Sequence, residues 1–141
     1  MAVLALFPGS FDPFTTGHEA VLRRVLPLFD KVVVAVGVNS EKHSMFSPEE
    51  RVERIRKIMA DCPTVEVTSY NGMTIDLCHQ TGAKCIIRGI RTAEDFEYEQ
   101  LVASVNRSQD PTIETLLVMA DADHMKISST LEREKLSHAT E

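Results

Sequence analysis

The stretch Val3-Leu4-Ala5-Leu6-Phe7-Pro8-Gly9-Ser10-Phe11-Asp12-Pro13-Phe14-Thr15-Thr16-Gly17-His18 reads as a strand, a tight loop and the first turn of a helix that carries a histidine. The first turn of a helix leaves backbone N–H groups unpaired and sits at the positive end of the helix dipole, so it favours a phosphate. In this reading Gly9 lets the chain turn tightly, Gly17 lets a ligand approach the backbone, and His18 adds a donor that gains charge when protonated. Turn chemistry alone accounts for Pro8, Gly9 and Pro13. A second stretch goes beyond it: Ile127-Ser128-Ser129-Thr130-Leu131-Glu132-Arg133-Glu134 also follows a strand-like run, Ile113 to Met119, and also places hydroxyl groups where a helix begins.

Around these two stretches the chain alternates. Strand-like runs at Val3 to Phe7, Lys31 to Val38, Thr64 to Ser69, Lys84 to Arg88 and Ile113 to Met119 are separated by helical patterns. The first helix sets Leu22, Val25, Leu26 and Phe29 on one face. The second opens with Ser47 as N-cap, Pro48 at the first helical position and Glu50 three residues past the cap, and buries Val52, Ile55, Ile58 and Met59. A third spans about Thr74 to Gln80 and stops before Gly82, a fourth follows Thr92 with Asp95 three residues on, and a last one starts near Ser129. Strands alternating with helices predict an α/β fold, a doubly wound, Rossmann-like domain with a five-stranded parallel sheet and right-handed crossovers. Ligands of such sheets sit beyond the C-terminal ends of the strands, where the strand order reverses.

The 141 residues, 43% of them hydrophobic, fit one domain over residues 1–141. No apolar run approaches the roughly 20 residues needed to cross a bilayer, and no basic region precedes an apolar signal, so the expected setting is cytoplasmic with no membrane partner. The three cysteines, Cys62, Cys78 and Cys85, form neither a metal knuckle nor a closed disulfide set and suit buried thiols. A net charge of −6 argues against nucleic acid as a partner.

Nucleotidyl transfer is served mainly by positioning and charge stabilisation, so it calls for donors and cations that converge on phosphates rather than for a nucleophile. Arg88-Gly89-Ile90-Arg91, at the end of the fourth strand run, supplies two planar donors for phosphate oxygens. Lys42, in the loop after the second strand, either swings over a transferring phosphate as a point charge or is simply solvated. On the fourth helix Asp95, Glu99, Val102 and Asn106 share a stripe with Tyr98 at its edge. That stripe either lines a pocket for a long, amide-bearing substrate or uses Asp95 and Glu99 to hold Arg88 and Arg91. Asp121, Asp123 and His124 match no strong metal pattern, and the neighbours Cys78 and His79 diverge on their helix.

Phe7 to Pro13, Gly17-His18, Arg88 to Arg91, Asp95-Phe96-Glu97-Tyr98-Glu99 and Ile127 to Thr130, taken together and in this order, resemble the phosphopantetheine adenylyltransferases of bacterial coenzyme A synthesis. The resemblance implies transfer of an adenylyl group from ATP to 4′-phosphopantetheine, with Mg2+, in a homohexamer, and coenzyme A as a feedback ligand. By position it assigns His18 to the α-phosphate in the transition state, Ser10 and Lys42 to the reacting phosphates, and Arg88 to the acceptor's phosphate. It puts Ser10, Phe11, His18, Gly89, Arg91, Glu99, Ile127, Ser128, Ser129 and Thr130 on the ATP side. It puts Ser10, Lys42, Met73, Thr74, Arg88, Tyr98, Val102 and Asn106 on the acceptor side. The chain departs from the pattern at His124, where the family carries an aromatic residue, at Thr130, more often serine, and at Glu141, where relatives continue into a further helix. Rival readings are a nucleotidyltransferase for another phosphorylated acceptor, a non-catalytic nucleotide- or coenzyme A-binding protein, and a synthetase fragment.

Overall fold

The computed structural model describes residues 2–39 and 43–120. Its elements run β1 (Leu4–Gly9), α1 (Thr16–Val25), a 3-10 turn (Leu26–Leu28), β2 (Lys31–Gly37), α2 (Pro48–Ile58), β3 (Val65–Tyr70), α3 (Thr74–Thr81), β4 (Cys85–Ile90), α4 (Ala93–Gln109) and β5 (Glu114–Met119). All strand pairs are parallel and the order is β3-β2-β1-β4-β5. The chain therefore builds outward from β1 through β2 to β3, returns to the other side of β1 as β4, and ends at β5. The order reverses between β1 and β4, as a doubly wound sheet requires.

Strand alternation sends side chains to two cores. Ala5, Phe7, Val32, Val34, Val36 and Ile87 pack with Val21 and Leu22 of α1 and Val52 and Ile55 of α2. On the opposite face Leu6, Val33, Ala35 and Ile86 pack with Ile75, Leu77 and Cys78 of α3.

Three elements differ from their sequence expectation, β4 by running past Arg88 to Ile90. Helix α1 stops at Val25 because Pro27 has no N–H to continue the helical ladder, so Leu26 and Phe29 meet the core from the 3-10 turn and the segment after it. Strand β1 runs on through Pro8 to Gly9, paired with β2 as far as Gly9↔Val36. Its pairing with β4 ends at Leu6↔Ile86. Pro8 thus faces β4 where the ladder has already ended, and its missing N–H leaves no bond unmade.

The caps form as the spacing predicts. Ser47 Oγ accepts from Glu50 N at 3.1 Å while Glu50 Oε1 accepts from Ser47 N at 3.3 Å, and Thr92 and Asp95 repeat the arrangement at the start of α4. Gly82 closes α3 with φ of 81°, in the left-handed region that suits glycine. Ser47→Ala strands the Glu50 N–H and is expected to lower unfolding stability by about 1 kcal/mol in urea titrations, with an unchanged denaturant slope.

Candidate active site

Beyond Leu6 and Ile86, β1 and β4 separate, and the side chains at their C-terminal ends line the gap. Arg88, from β4, crosses it: Nη1 donates to the Pro8 carbonyl at 2.6 Å, and Nε and Nη2 each donate to a Glu99 carboxylate oxygen at 2.8 Å. Three of the five guanidinium N–H groups are thereby used, which leaves one on each terminal nitrogen. Burial pulls the Arg88 pKa down, and the bonds and charge of Glu99 more than reverse it, so the guanidinium stays charged. Glu99 comes from α4 and is 6% exposed.

The loop after β1 turns at Phe11, whose φ of 47° places a non-glycine residue in the left-handed region. Its ring packs edge-on against Phe7, Phe14 and His18, with centroids 5.2, 5.3 and 5.1 Å away. Here the expectation for Gly9 is corrected: the turn is made by Phe11, and Gly9 is required because a β-carbon there would stand 2.8 Å from the Phe11 ring.

His18 sits at the third position of α1, in a capping box of its own. The Thr15 N–H donates to His18 Nδ1 at 2.9 Å, and the His18 N–H donates to Thr15 Oγ1 at 3.4 Å. A main-chain N–H can only donate, so Nδ1 is an acceptor and the neutral ring carries its proton on Nε2. The ring also stacks on Phe14 at 5.5 Å with 28° between planes. Burial, and then the charges of Arg91 and Arg88, push the His18 pKa below its ordinary 6.5.

The sign of this shift sets a pH dependence. The unfolded chain binds the His18 proton more readily than the folded one, so the stability tied to the neutral ring is present above pH 6.5 and is lost as pH falls through the lower folded value. Protonation also ends the acceptance from Thr15 N–H. The acid limb of kcat/KM is therefore expected to turn below pH 6.5, and a pH–rate profile checks it.

Two cavities flank this centre. One of about 390 Å3 is lined by Phe11, Thr15, Gly17, His18, Val21, Gly89, Arg91, Asp95, Glu99 and Ala120. The other, of about 690 Å3, is lined by Gly37, Val38, Asn39, Tyr70, Asn71, Gly72, Thr74, Ile86, Tyr98, Val102 and Asn106. Pro8, Gly9, Ser10 and Arg88 line both, so they form a shared wall.

Of the residues singled out by sequence, His18, Phe11, Gly89, Arg91 and Glu99 meet in the smaller cavity, Thr74, Tyr98, Val102 and Asn106 in the larger, and Ser10 and Arg88 between them. Met73 is the exception. It caps α3, is 47% exposed and lines neither cavity. Lys42 and Ile127 to Thr130 lie outside the described residues, as do Asp121, Asp123 and His124. The alternative left open on α4 resolves differently for its two acids. Glu99 holds Arg88, whereas Asp95 accepts from Arg91 N at 3.0 Å and Thr92 N at 3.3 Å and stands 4.0 Å from the Arg91 guanidinium.

Sequence reasoning missed Tyr70, whose hydroxyl lies 3.2 Å from Thr74 Oγ1 in the larger cavity, and the buried Arg51. Helical spacing offered a signal for Arg51, which falls on the face of Ile55 and Ile58.

Residues 6–135 match the model of the cytidylyltransferase-like family. A phosphopantetheine adenylyltransferase of Leptospira biflexa is 42% identical over 138 residues, covering 98% of this chain and 86% of that protein. One of Flavobacterium johnsoniae is 47% identical over 137 residues, covering 97% and 90%. The chain belongs to the phosphopantetheine adenylyltransferase family. Among solved structures, a bifunctional NMN adenylyltransferase/ADP ribose pyrophosphatase of Francisella tularensis superposes with a TM-score of 0.66 at 19% identity, over 88% of this chain and 40% of that one. A putative nicotinate-nucleotide adenylyltransferase of Vibrio parahaemolyticus gives 0.60 at 16% identity, over 95% and 89%. At these identities the two structures speak for the α/β fold that the adenylyltransferase family shares with them.

Proposed function

We propose that the protein transfers the adenylyl group of ATP to 4′-phosphopantetheine, giving dephospho-coenzyme A and pyrophosphate. The observation that carries this reading is the shared wall: two cavities of unequal size meet at Ser10 and Arg88. A reaction joining two phosphates needs its two substrates to meet at such a wall.

In this reading ATP occupies the smaller cavity, with its α-phosphate at the start of α1, and the acceptor occupies the larger, with its phosphate at Arg88. An oxygen of the acceptor phosphate attacks the α-phosphorus, forming one P–O bond while the bond to the β-phosphate oxygen breaks and pyrophosphate leaves. The His18 Nε2–H and the free N–H groups at the helix start stabilise negative charge on the α-phosphate oxygens as it passes through the crowded transition state. Among the described residues neither remaining Arg88 N–H has a protein partner, so both can address the acceptor phosphate. Asn106, 8% exposed, and the Tyr70–Thr74 hydroxyl pair offer donors and acceptors along the larger cavity for a chain with amide groups.

The carboxylates that line the cavities, Asp95 and Glu99, are engaged by backbone N–H groups and Arg88. Among the described residues no group of three His, Cys, Asp or Glu side chains could hold a metal ion. Mg2+, expected from the family, would enter with the triphosphate as part of the nucleotide substrate and would supply charge neutralisation there. Lys42 is assigned to the reacting phosphates, Ile127, Ser128, Ser129 and Thr130 to the nucleotide, a homohexamer to the assembly, coenzyme A to feedback, and the cytoplasm to the location. These assignments follow the family. Among the described residues no helix is long and apolar enough to cross a membrane.

The test is pyrophosphate release from Mg–ATP with 4′-phosphopantetheine, beside pantetheine lacking the phosphate and nicotinamide mononucleotide. Release with phosphopantetheine alone supports the reading. Release with nicotinamide mononucleotide, or binding of ATP without release from any acceptor, replaces it with one of the rivals.

A further inference from the structure

Among the described residues, Arg51 is the one buried acidic or basic side chain whose hydrogen bonds all go to backbone carbonyls. It is 4% exposed and comes from the first turns of α2. Its Nη1 donates to the Ser10 carbonyl at 2.7 Å and to the Gly37 carbonyl at 3.3 Å, and its Nε donates to the Phe46 carbonyl at 3.2 Å. Ser10 lies on the shared wall, Gly37 ends β2 and lines the larger cavity, and Phe46 precedes α2. One rigid, planar group thus ties three backbone segments from behind the wall.

A second side chain ties the same segments in the opposite direction. Asp12, two residues after Ser10, accepts from Met45 N at 2.6 Å and from Phe46 N at 2.9 Å. Arg51 therefore takes carbonyl groups and Asp12 takes amide groups across one junction, between the loop after β1 and the segment before α2. Burial raises the Asp12 pKa, and the two amides together with the Arg51 charge outweigh it, which keeps the carboxylate ionised.

Taking an arginine out of water without a bidentate carboxylate is costly, and stability alone does not require it, since apolar residues of similar volume often serve buried positions at least as well. We infer that Arg51 is a positioning residue for the transfer reaction: it fixes the Ser10 and Gly37 backbone so that the shared wall is rigid before either substrate binds. This deepens the proposed function and rests on it for the chemistry, while the clamp itself is a statement about the backbone.

A neighbouring arginine supplies the control. Arg54 donates from Nε to the Phe14 carbonyl at 3.2 Å, so it anchors the same loop from the same helix but at a point off the shared wall. The experiment compares the native chain, Arg51→Lys and Arg54→Ala in two readouts. In steady-state pyrophosphate release at a temperature where all are folded by circular dichroism, Arg51→Lys is expected to lower kcat on the order of 10²-fold, with both KM values within about threefold, because a misplaced wall costs rate more than ground-state binding. Arg54→Ala is expected to stay within about threefold of the native kcat. In native-state hydrogen exchange read by mass spectrometry, Arg51→Lys is expected to speed exchange in peptides covering residues 8–15 and 43–50 and leave the β3 peptide unchanged.

A native kcat in folded Arg51→Lys, an equal loss in Arg54→Ala, or unchanged exchange in both peptides would each overturn the inference. Should Arg51→Lys fail to fold, Asp12→Asn loosens the same junction from its other side and carries the same expectations. Should the native chain show no pyrophosphate release, the proposed reaction falls, and the exchange comparison still decides whether Arg51 fixes the wall.

Discussion

His18→Ala is expected to lower kcat for pyrophosphate release by about 10²- to 10³-fold while ATP affinity changes by no more than about threefold. The asymmetry follows from how the ring is held. Thr15 N–H fixes Nδ1, Phe14 stacks on the face, and Phe11 meets the edge, so Nε2–H points from a preset position at the start of α1. In the proposed reaction a preset donor gains most where charge accumulates on the α-phosphate oxygens, while the other groups of the smaller cavity share the binding of ground-state ATP. Steady-state release beside equilibrium binding of a non-hydrolysable ATP analogue separates the two quantities. Equal, small losses in both would remove the transition-state role of His18.

Arg88→Ala is expected to cost both activity and fold. Truncation leaves the Glu99 carboxylate, 6% exposed, without its bidentate partner. Breaking a buried ion pair by removing one member costs about 3–5 kcal/mol, a large part of a small domain's stability. Chemical denaturation should show the drop directly. The double variant Arg88→Ala with Glu99→Leu removes the stranded charge and is expected to recover much of the stability, yet to remain inactive because no guanidinium is left on the shared wall. Recovery of pyrophosphate release together with stability would mean that Arg88 serves the fold alone.

Much of this arrangement is readable in the sequence, for reasons that differ by element. The five strands announce themselves because a sheet covered on both faces needs nearly continuous apolar runs, and β2, with Lys31 followed by five apolar residues, is the clearest case. The boxes at Ser47 and Thr92 are local and use acidic residues at the third helical position, so spacing suffices to find them. The third box escapes the same reading because His18 takes the acidic residue's place, and the tautomer it imposes is visible only once Nδ1 is seen against Thr15 N–H. Strand β1 runs two residues past its sequence expectation at Phe7, since proline counts against a strand wherever the neighbouring ladder is unknown. Helical spacing marks Glu99 and Arg51, but their partners, Arg88 for the one and the Ser10 and Gly37 carbonyls for the other, come from other segments, and no local pattern says which partner a charge will meet.

The path of the chain through the sheet also governs when the site comes into being. The loop that carries Ser10 follows the first strand to be synthesised, yet β1 gains its second neighbour only through Ala5↔Cys85 and Leu6↔Ile86. The bond from Arg88 to Pro8 joins residues 80 positions apart. Contacts of such high order form late and slowly, because loop closure must precede them. A nascent chain halted before β4 would own the loop, the histidine and the Gly37 and Tyr70 side of the larger cavity, but not Arg88 or the lining that β4 and α4 supply. Nucleotide capture is thereby tied to completion of the sheet, and a nucleotide bound during refolding would report the last step of assembly rather than the first.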